Sequence, residues 1–256
     1  METSQALVHH PKVHLRWPAL WSDPSLFTHL FAALLQAPAD VSVSCFDVYA
    51  LDASLFSSFP GETMALLLAF PETDEEEVAK MSVSDSFIDS RASTEDDAYF
   101  IFQADELENA CGTLAAIHTV LNCPPLCAHL GDALLEFTAQ HGESSPRARG
   151  ASLAKSLALN QVHCAVVAPY DYLGEEEPEE PEMVVDHHFV TLLLRERDVL
   201  LIDGRDPAGP RLQHQASEDE TDESVLELAL RVVREQFLSS RADRPFALLS
   251  VQSLIH

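Results

Sequence analysis

The sequence predicts an α+β, or mixed α/β, fold built as one domain over residues 1–256. A hydrophobic content of 46% in a chain of this length is enough to form the core of one enzyme-sized domain. Predicted strands and helices interleave without strict alternation, which argues against a regular parallel α/β sheet. The residues "RERD", 195–198, separate two predicted strands, and so short a connection can join only antiparallel neighbours.

The first predicted element is a helix that begins near Ser22 or Asp23. Either side chain can cap the helix, and Pro24 suits its first turn. Apolar residues then recur at helical spacing over 27–34. The later elements follow from apolar runs of strand length and from stripes at helical spacing. In chain order they are strands over 41–51, 62–71 and 98–103, helices after residue 111 and over 131–141, strands over 162–169, 187–194 and 199–204, a helix whose stripe is Leu226, Leu230, Val233 and Phe237, and a strand over 244–251.

Two acidic segments interrupt these elements. Residues 72–97 are polar and lack periodicity, and we predict an acidic surface excursion within the domain. Residues 170–186 form a loop longer than ordinary connections, and the loop ends just before His188. This position predicts a gate over a functional site. The glutamates of the loop fit a solvated linker and a direct substrate contact equally well.

Composition excludes several classes of partner. A formal net charge of -27 repels nucleic acid and anionic membranes and favours a basic partner. The longest apolar run, residues 64–70, is too short to span a bilayer, and the first residues do not resemble a secretory signal, so we expect a soluble protein. An odd count of five cysteines indicates a reducing compartment, the cytoplasm first and the nucleus second. Cys123 and Cys127 lack a second ligand pair at metal-site spacing, which favours free thiols over structural zinc.

Cys111 is the candidate nucleophile. It follows Asn109, a plausible helix cap, and therefore falls in the first turn of a predicted helix. Free backbone N–H groups and the positive end of the helix dipole favour a thiolate there. Gly112 is expected to leave the approach to the sulfur open. The alternative is a buried structural cysteine, and position alone does not decide between the two.

His188 and Asp203 are the candidate base and its orienting carboxylate. A hairpin loop over 195–198 places His188 opposite Arg205, with Asp203 diagonally beside the histidine on the same face. Such a diagonal pair is about 7–8 Å apart at Cβ, within reach of a hydrogen bond between the side chains. The carboxylate would fix the ring tautomer and leave the other nitrogen for a thiol. The alternative is two solvated residues at strand ends, and a register slip of one residue would break the pair.

Gln103 is a candidate oxyanion donor because it ends a predicted strand shortly before Cys111. Its amide could act with the backbone N–H of Cys111 when a thiolate attacks a carbonyl. The alternative is an ordinary exposed glutamine. His187 points to the opposite face from His188 and is not assigned a role.

With these residues identified, the chain resembles the ubiquitin C-terminal hydrolases, a papain-like class of cysteine deubiquitinases. "NACGTLAAIHTVLN" is similar to the active-site helix of the family, "HFVTLLL" to its histidine strand and "LLIDGRDP" to the segment of its orienting aspartate. Gln103 in "YFIFQ" matches the glutamine of the oxyanion hole, and the step from His188 to Asp203 also agrees. The resemblance covers nearly the whole chain and is to the short, single-domain members.

The resemblance implies a knotted fold with a central, mostly antiparallel sheet flanked by helices. It also implies that Cys111 attacks the terminal glycine carbonyl of ubiquitin, that His188 acts as base and then acid, and that Asp203 orients it. The loop at 170–186 would be the crossover loop, which admits small adducts and short or unfolded peptides. No metal or organic cofactor is implied, and a monomer is expected.

Three features depart from the family pattern. The segment between Gln103 and Asn109 is about two residues longer, His187 replaces a usually apolar residue, and the acidic stretch 72–97 is extended. Two rival hypotheses follow. One is a ubiquitin-binding module with little turnover, because the insertion misaligns Gln103. The other is a hydrolase that prefers another ubiquitin-like protein, such as NEDD8.

Overall fold

The computed structural model describes residues 15–37, 41–71, 98–171, 187–214, 224–239 and 245–255. The predicted acidic excursion at 72–97 and positions 172–186 of the predicted crossover loop lie outside the described residues. The predicted knot depends on the path of the whole chain, which includes those segments. Among the helices described, none combines the length and the apolar character needed to cross a membrane.

Helices and strands alternate irregularly along the chain. The helices are α1 (Pro24–Leu34), α2 (Cys111–Asn122), α3 (Pro124–Cys127), α4 (Asp132–His141), α5 (Pro146–Leu153), α6 (Leu157–Asp171) and α7 (Val225–Val232), with 3₁₀ turns at Ala53–Ser58 and Asp105–Leu107 and a π-helical segment at Val233–Leu238. The strands are β1 (Val41–Asp47), β2 (Glu62–Pro71), β3 (His187–Leu194), β4 (Asp198–Ile202), β5 (Arg211–His214) and β6 (Ala247–Ile255).

The six strands form one sheet in the order β1-β6-β2-β3-β4-β5. Every strand pair within the described part of the chain is antiparallel. The predicted α+β class with a mostly antiparallel sheet is therefore confirmed. The hairpin between β3 and β4 has the predicted register, since Leu194 pairs with Val199 and Thr191 with Ile202.

Both faces of the sheet are covered, which explains the continuous apolar run of β2. Because successive side chains of a strand point to opposite faces, Leu67 packs in the core shared with α1 and α2, whereas Leu66 and Leu68 pack in a second core with α7. Each leucine is fully buried and contributes about 1.5–3 kcal/mol by leaving water. This double burial fixes β2 at the centre of the sheet.

Two predicted strands are wrong. Residues 162–169 belong to α6, because a short apolar run cannot distinguish a buried strand from a buried helix by periodicity alone. Residues 98–103 belong to no described helix or strand. Their backbone groups bond to side chains of α2, to the first residue of α5 and to the loop at Gly204. The predicted late helix ends at Val232 and continues as the π-helical segment.

Several short elements had no clear sequence signal. Helices α3 and α5 and strand β5 were not predicted, and each has eight residues or fewer. The first helix is confirmed in detail, since Asp23 accepts a hydrogen bond from the backbone N–H of Leu26 at 2.8 Å. The sheet register places the start of β3 beside the end of β2, where Phe70 pairs with His188.

Candidate active site

Cys111 is the first residue of α2. Ala110 is the N-cap residue and no side chain caps the helix, so the predicted cap at Asn109 is wrong. The thiol nevertheless lies in the first turn, where backbone N–H groups have no partner within the helix. Gly112 lets α2 pack closely against the core, because a Cβ there would lie 3.0 Å from Leu20.

His188 and Asp203 form a buried pair. Nε2 of His188 lies 2.6 Å from Oδ1 of Asp203, and the two residues are 1% and 5% exposed. The same carboxylate oxygen accepts the backbone N–H of Arg205 at 2.9 Å. The ring of Phe70 meets the imidazole edge-on at 5.9 Å between centroids. The histidine is thus held from two sides, and the diagonal pairing predicted from the hairpin is present.

The structure brings Cys111 to the His188–Asp203 pair. Burial of the sulfur favours the neutral thiol, yet the hydrogen-bonding and charge interaction with His188 prevails, so the pKa of Cys111 is lowered. Burial likewise opposes the charged imidazole, but Asp203, followed by Cys111, raises the pKa of His188 to about 9. Nε2 is engaged by Asp203, so Nδ1 is the nitrogen left for the thiol; among the described residues it has no hydrogen bond of regular geometry.

Gln103 lies beside the same loops, and it is only 6% exposed. Its backbone N–H donates to the carbonyl of Gly204 at 2.8 Å, next to Asp203. Its side-chain Nε2 donates to the backbone carbonyl of Glu108 at 2.9 Å, three residues before Cys111. Gln103 is therefore bonded both to the loop that contains Asp203 and to the turn that precedes Cys111.

The segment that carries Gln103 is fastened to α2 by two side chains that sequence reasoning missed. Asn122 accepts the N–H of Tyr99 at 2.7 Å and donates to the carbonyl of the same residue at 2.9 Å. Nε2 of His118 accepts the N–H of Ile101 at 3.0 Å, and burial lowers the pKa of His118 to about 3, so the ring is a neutral acceptor. In the sequence, the sign of this pair was the spacing of four residues between His118 and Asn122, which places both side chains on one face of the helix.

Chemically, the site contains the parts needed for nucleophilic attack on a carbonyl. The thiol has a lowered pKa, and the adjacent histidine is held by a carboxylate. His187 contributes its backbone carbonyl, which lies 3.8 Å from the sulfur. In the described part of the chain, no three His, Cys, Asp or Glu side chains are grouped as a metal site would require.

Comparison with known proteins agrees with this chemistry. The sequence pattern of the family described as "Ubiquitin carboxyl-terminal hydrolase, family 1" matches residues 17–238. "Ubiquitin carboxyl-terminal hydrolase 3" of Arabidopsis thaliana is 27% identical over 92% of this chain and 94% of its own length. A "Ubiquitin carboxyl-terminal hydrolase" of Drosophila melanogaster is 28% identical over 75% of this chain and 79% of its own length.

A solved structure shows the same fold. It is the Trichinella spiralis UCH37 catalytic domain bound to ubiquitin vinyl methyl ester, with a TM-score of 0.64 and 23% sequence identity, and it covers 93% of this chain and 95% of its own. The family match spans most of the chain. The protein therefore belongs to the ubiquitin carboxyl-terminal hydrolase family, whose members are cysteine peptidases that act as deubiquitinases.

Proposed function

We propose that this protein hydrolyses the bond after the C-terminal glycine of ubiquitin, with Cys111 as nucleophile, His188 as base and acid, and Asp203 as the group that orients His188. The observation that carries the proposal is the 2.6 Å His188–Asp203 contact beside a thiol whose pKa is lowered. A carboxylate on Nε2 leaves Nδ1 to exchange a proton with the sulfur.

The proposed reaction has two halves. The Cys111 thiolate adds to the glycine carbonyl, and the negative oxygen is stabilised by the Gln103 amide and the backbone N–H of Cys111. Collapse of this intermediate breaks the bond to the leaving amine, which takes the proton of the His188 imidazolium, and leaves a thioester. A water molecule, deprotonated by His188, then attacks the thioester, and ubiquitin leaves with a free carboxylate while the thiol is restored.

Ubiquitin is the proposed partner for two reasons. Two Trichinella spiralis structures with this fold, the UCH37 catalytic domain and UCH37 itself, are bound to ubiquitin vinyl methyl ester. The formal charge of -27 also favours attraction of a basic protein surface. We further propose that small adducts and short or unfolded peptides are the leaving groups and that the enzyme acts in the cytoplasm as a monomer.

A fluorogenic C-terminal amide of ubiquitin tests the proposal. The wild-type protein is expected to release the fluorophore, and Cys111→Ala is expected to abolish release. Cys127→Ala removes an exposed thiol elsewhere and serves as the matched control, with activity close to wild type.

Three outcomes discriminate the alternatives. Release of fluorophore by Cys111→Ala would contradict the assignment of Cys111 as the nucleophile. Tight binding of ubiquitin without turnover would support the binding module instead. Faster release from the equivalent NEDD8 amide than from the ubiquitin amide would show that NEDD8 is the preferred substrate.

A further inference from the structure

The turn that precedes Cys111 has an unusual backbone. Glu108 has φ 44° and ψ -106°, and it is the one non-glycine residue with positive φ within the described part of the chain. The N–H of Ala110 donates to the carbonyl of Leu107 at 2.9 Å, which closes a four-residue turn with Glu108 in its second position. These angles match the first central position of a type II′ turn, a position that normally requires glycine. The Glu108 backbone is therefore strained.

The strained residue directs its carbonyl at Gln103. The carbonyl oxygen of Glu108 accepts Nε2 of Gln103 at 2.9 Å, whereas Oε1 of Gln103 has no partner among the described residues. A flipped amide would place two oxygens in contact, so the contact fixes which end of the amide carries the N–H groups. An amide has two such N–H groups. One is used by Glu108, and the other is left for a further acceptor.

The surroundings hold this turn in place. Leu107 is fully buried, and its N–H donates to the carbonyl of Ala104 at 2.9 Å. The N–H of Glu108 donates to the carbonyl of Asp105 at 3.1 Å. Strained backbone persists where neighbouring contacts determine it, and it is concentrated at functional sites. The contacts that hold the turn therefore include the buried side chain of Leu107 and backbone hydrogen bonds.

We propose that the strained turn at Glu108 is a positioning device, whose backbone carbonyl orients the Gln103 amide so that its second N–H donates to the oxyanion. The inference rests on the proposed function. It makes Glu108 a positioning residue that acts through its main chain. It also assigns a purpose to the longer segment before Cys111, which supplies the acceptor rather than misaligning the glutamine.

Two substitutions at one position test the device. Glu108→Pro fixes φ near about −65°, which the turn cannot accept, so the carbonyl is redirected. We expect kcat on the fluorogenic ubiquitin amide to fall by about 10²- to 10³-fold, with little change in KM. Glu108→Gly keeps the carbonyl and suits positive φ, so this conservative variant is expected to retain kcat within a few fold. Asp105→Pro is the matched control, because proline is tolerated at the first position of a 3₁₀ turn and Ala104 before it is extended.

A double substitution separates positioning from a general structural role. If Glu108 acts through Gln103, Glu108→Pro combined with Gln103→Ala lowers kcat no further than Gln103→Ala alone. Affinity for ubiquitin aldehyde, whose adduct with Cys111 carries an oxygen at the oxyanion position, should fall in parallel. Alkylation of Cys111 by iodoacetamide forms no oxyanion and should stay unchanged. Additive losses, or an equal loss of alkylation, would overturn the inference.

An NMR measurement on the wild-type enzyme keeps the inference testable even if Glu108→Pro does not fold. The two Nε2 protons of Gln103 are expected to differ, with the one bonded to Glu108 exchanging slowly and the other shifting when ubiquitin aldehyde binds. Two equivalent, fast-exchanging protons would overturn the inference while leaving the proposed function intact. A wild-type enzyme that releases no fluorophore would instead overturn the proposed function.

Discussion

The Asp203→Asn substitution removes one negative charge from the site and keeps the shape of the side chain. In the wild type, burial opposes the charged imidazole, but Asp203, followed by Cys111, raises the pKa of His188 from 6.5 to about 9. One pKa unit corresponds to about 1.4 kcal/mol, so the balance of burial and these partners favours the imidazolium by about 3 kcal/mol. Most of this preference depends on the Asp203 carboxylate and is expected to be lost in the variant.

The pH dependence of kcat/KM measures this loss. In the wild type, the rate should rise as Cys111 loses its proton below its ordinary pKa and should fall as the pair deprotonates near pH 9. In Asp203→Asn the falling limb should move toward about pH 7, so kcat/KM should drop by about 2-fold at pH 7 and by about 50-fold at pH 9 relative to wild type. The assay is release of fluorophore from the ubiquitin amide between about pH 5 and about pH 10.

The stability of the fold should also depend on the charge of His188. Because the folded-state pKa of His188 is raised, its interaction with Asp203 stabilises the fold fully below pH 6.5, and that contribution is lost as the pH rises through about 9. The Tm difference between wild type and Asp203→Asn should therefore be larger near pH 6 than near pH 9. Asp206→Asn, in the same loop but bonded to Ala208 and Arg211, is the matched control. An unshifted falling limb in Asp203→Asn would refute the electrostatic reasoning.

Three further predictions concern other parts of the site. Iodoacetamide at neutral pH should label Cys111 well before Cys45, because the pKa of Cys111 is lowered whereas burial raises that of Cys45 to about 12. Mass spectrometry measures the labelling of each thiol, and equal labelling would contradict the prediction. Gly204→Ala should reduce the free energy of unfolding by about 1–3 kcal/mol, since the new Cβ would lie 2.5 Å from Leu114. A denaturant titration without a shift in midpoint would argue against this prediction. Asn122→Leu should lower Tm, since each backbone group of Tyr99 left unpaired costs about 1–3 kcal/mol, and kcat should fall more than ubiquitin affinity. An unaltered kcat would show that the position of the Gln103 segment does not depend on the Asn122–Tyr99 hydrogen bonds.

The β3–β4 hairpin shows how much local sequence can specify. The four-residue connection and the apolar runs on each side fix the register, and the register alone places Asp203 diagonally beside His188. The helix after Cys111 was also predictable, although its cap at Ala110 was not. Both depend on interactions between residues that are close in the chain.

The segment at 98–103 and helix α6 show where local sequence fails. Both are apolar runs that resemble strands, but one runs along α2 and the other is helical. Their structure depends on partners distant in the chain, namely Asn122, His118 and the core around α1. A propensity argument cannot supply those partners.

The sequence by itself determined the class of fold and the geometry of the His188–Asp203 pair, and it indicated the candidate site residues, because short connections and residue patterns encode these locally. Only the tertiary structure decided that Cys111 meets that pair and that the Gln103 amide binds the carbonyl of Glu108. These contacts join separate elements whose relative positions are set by burial of two shared cores.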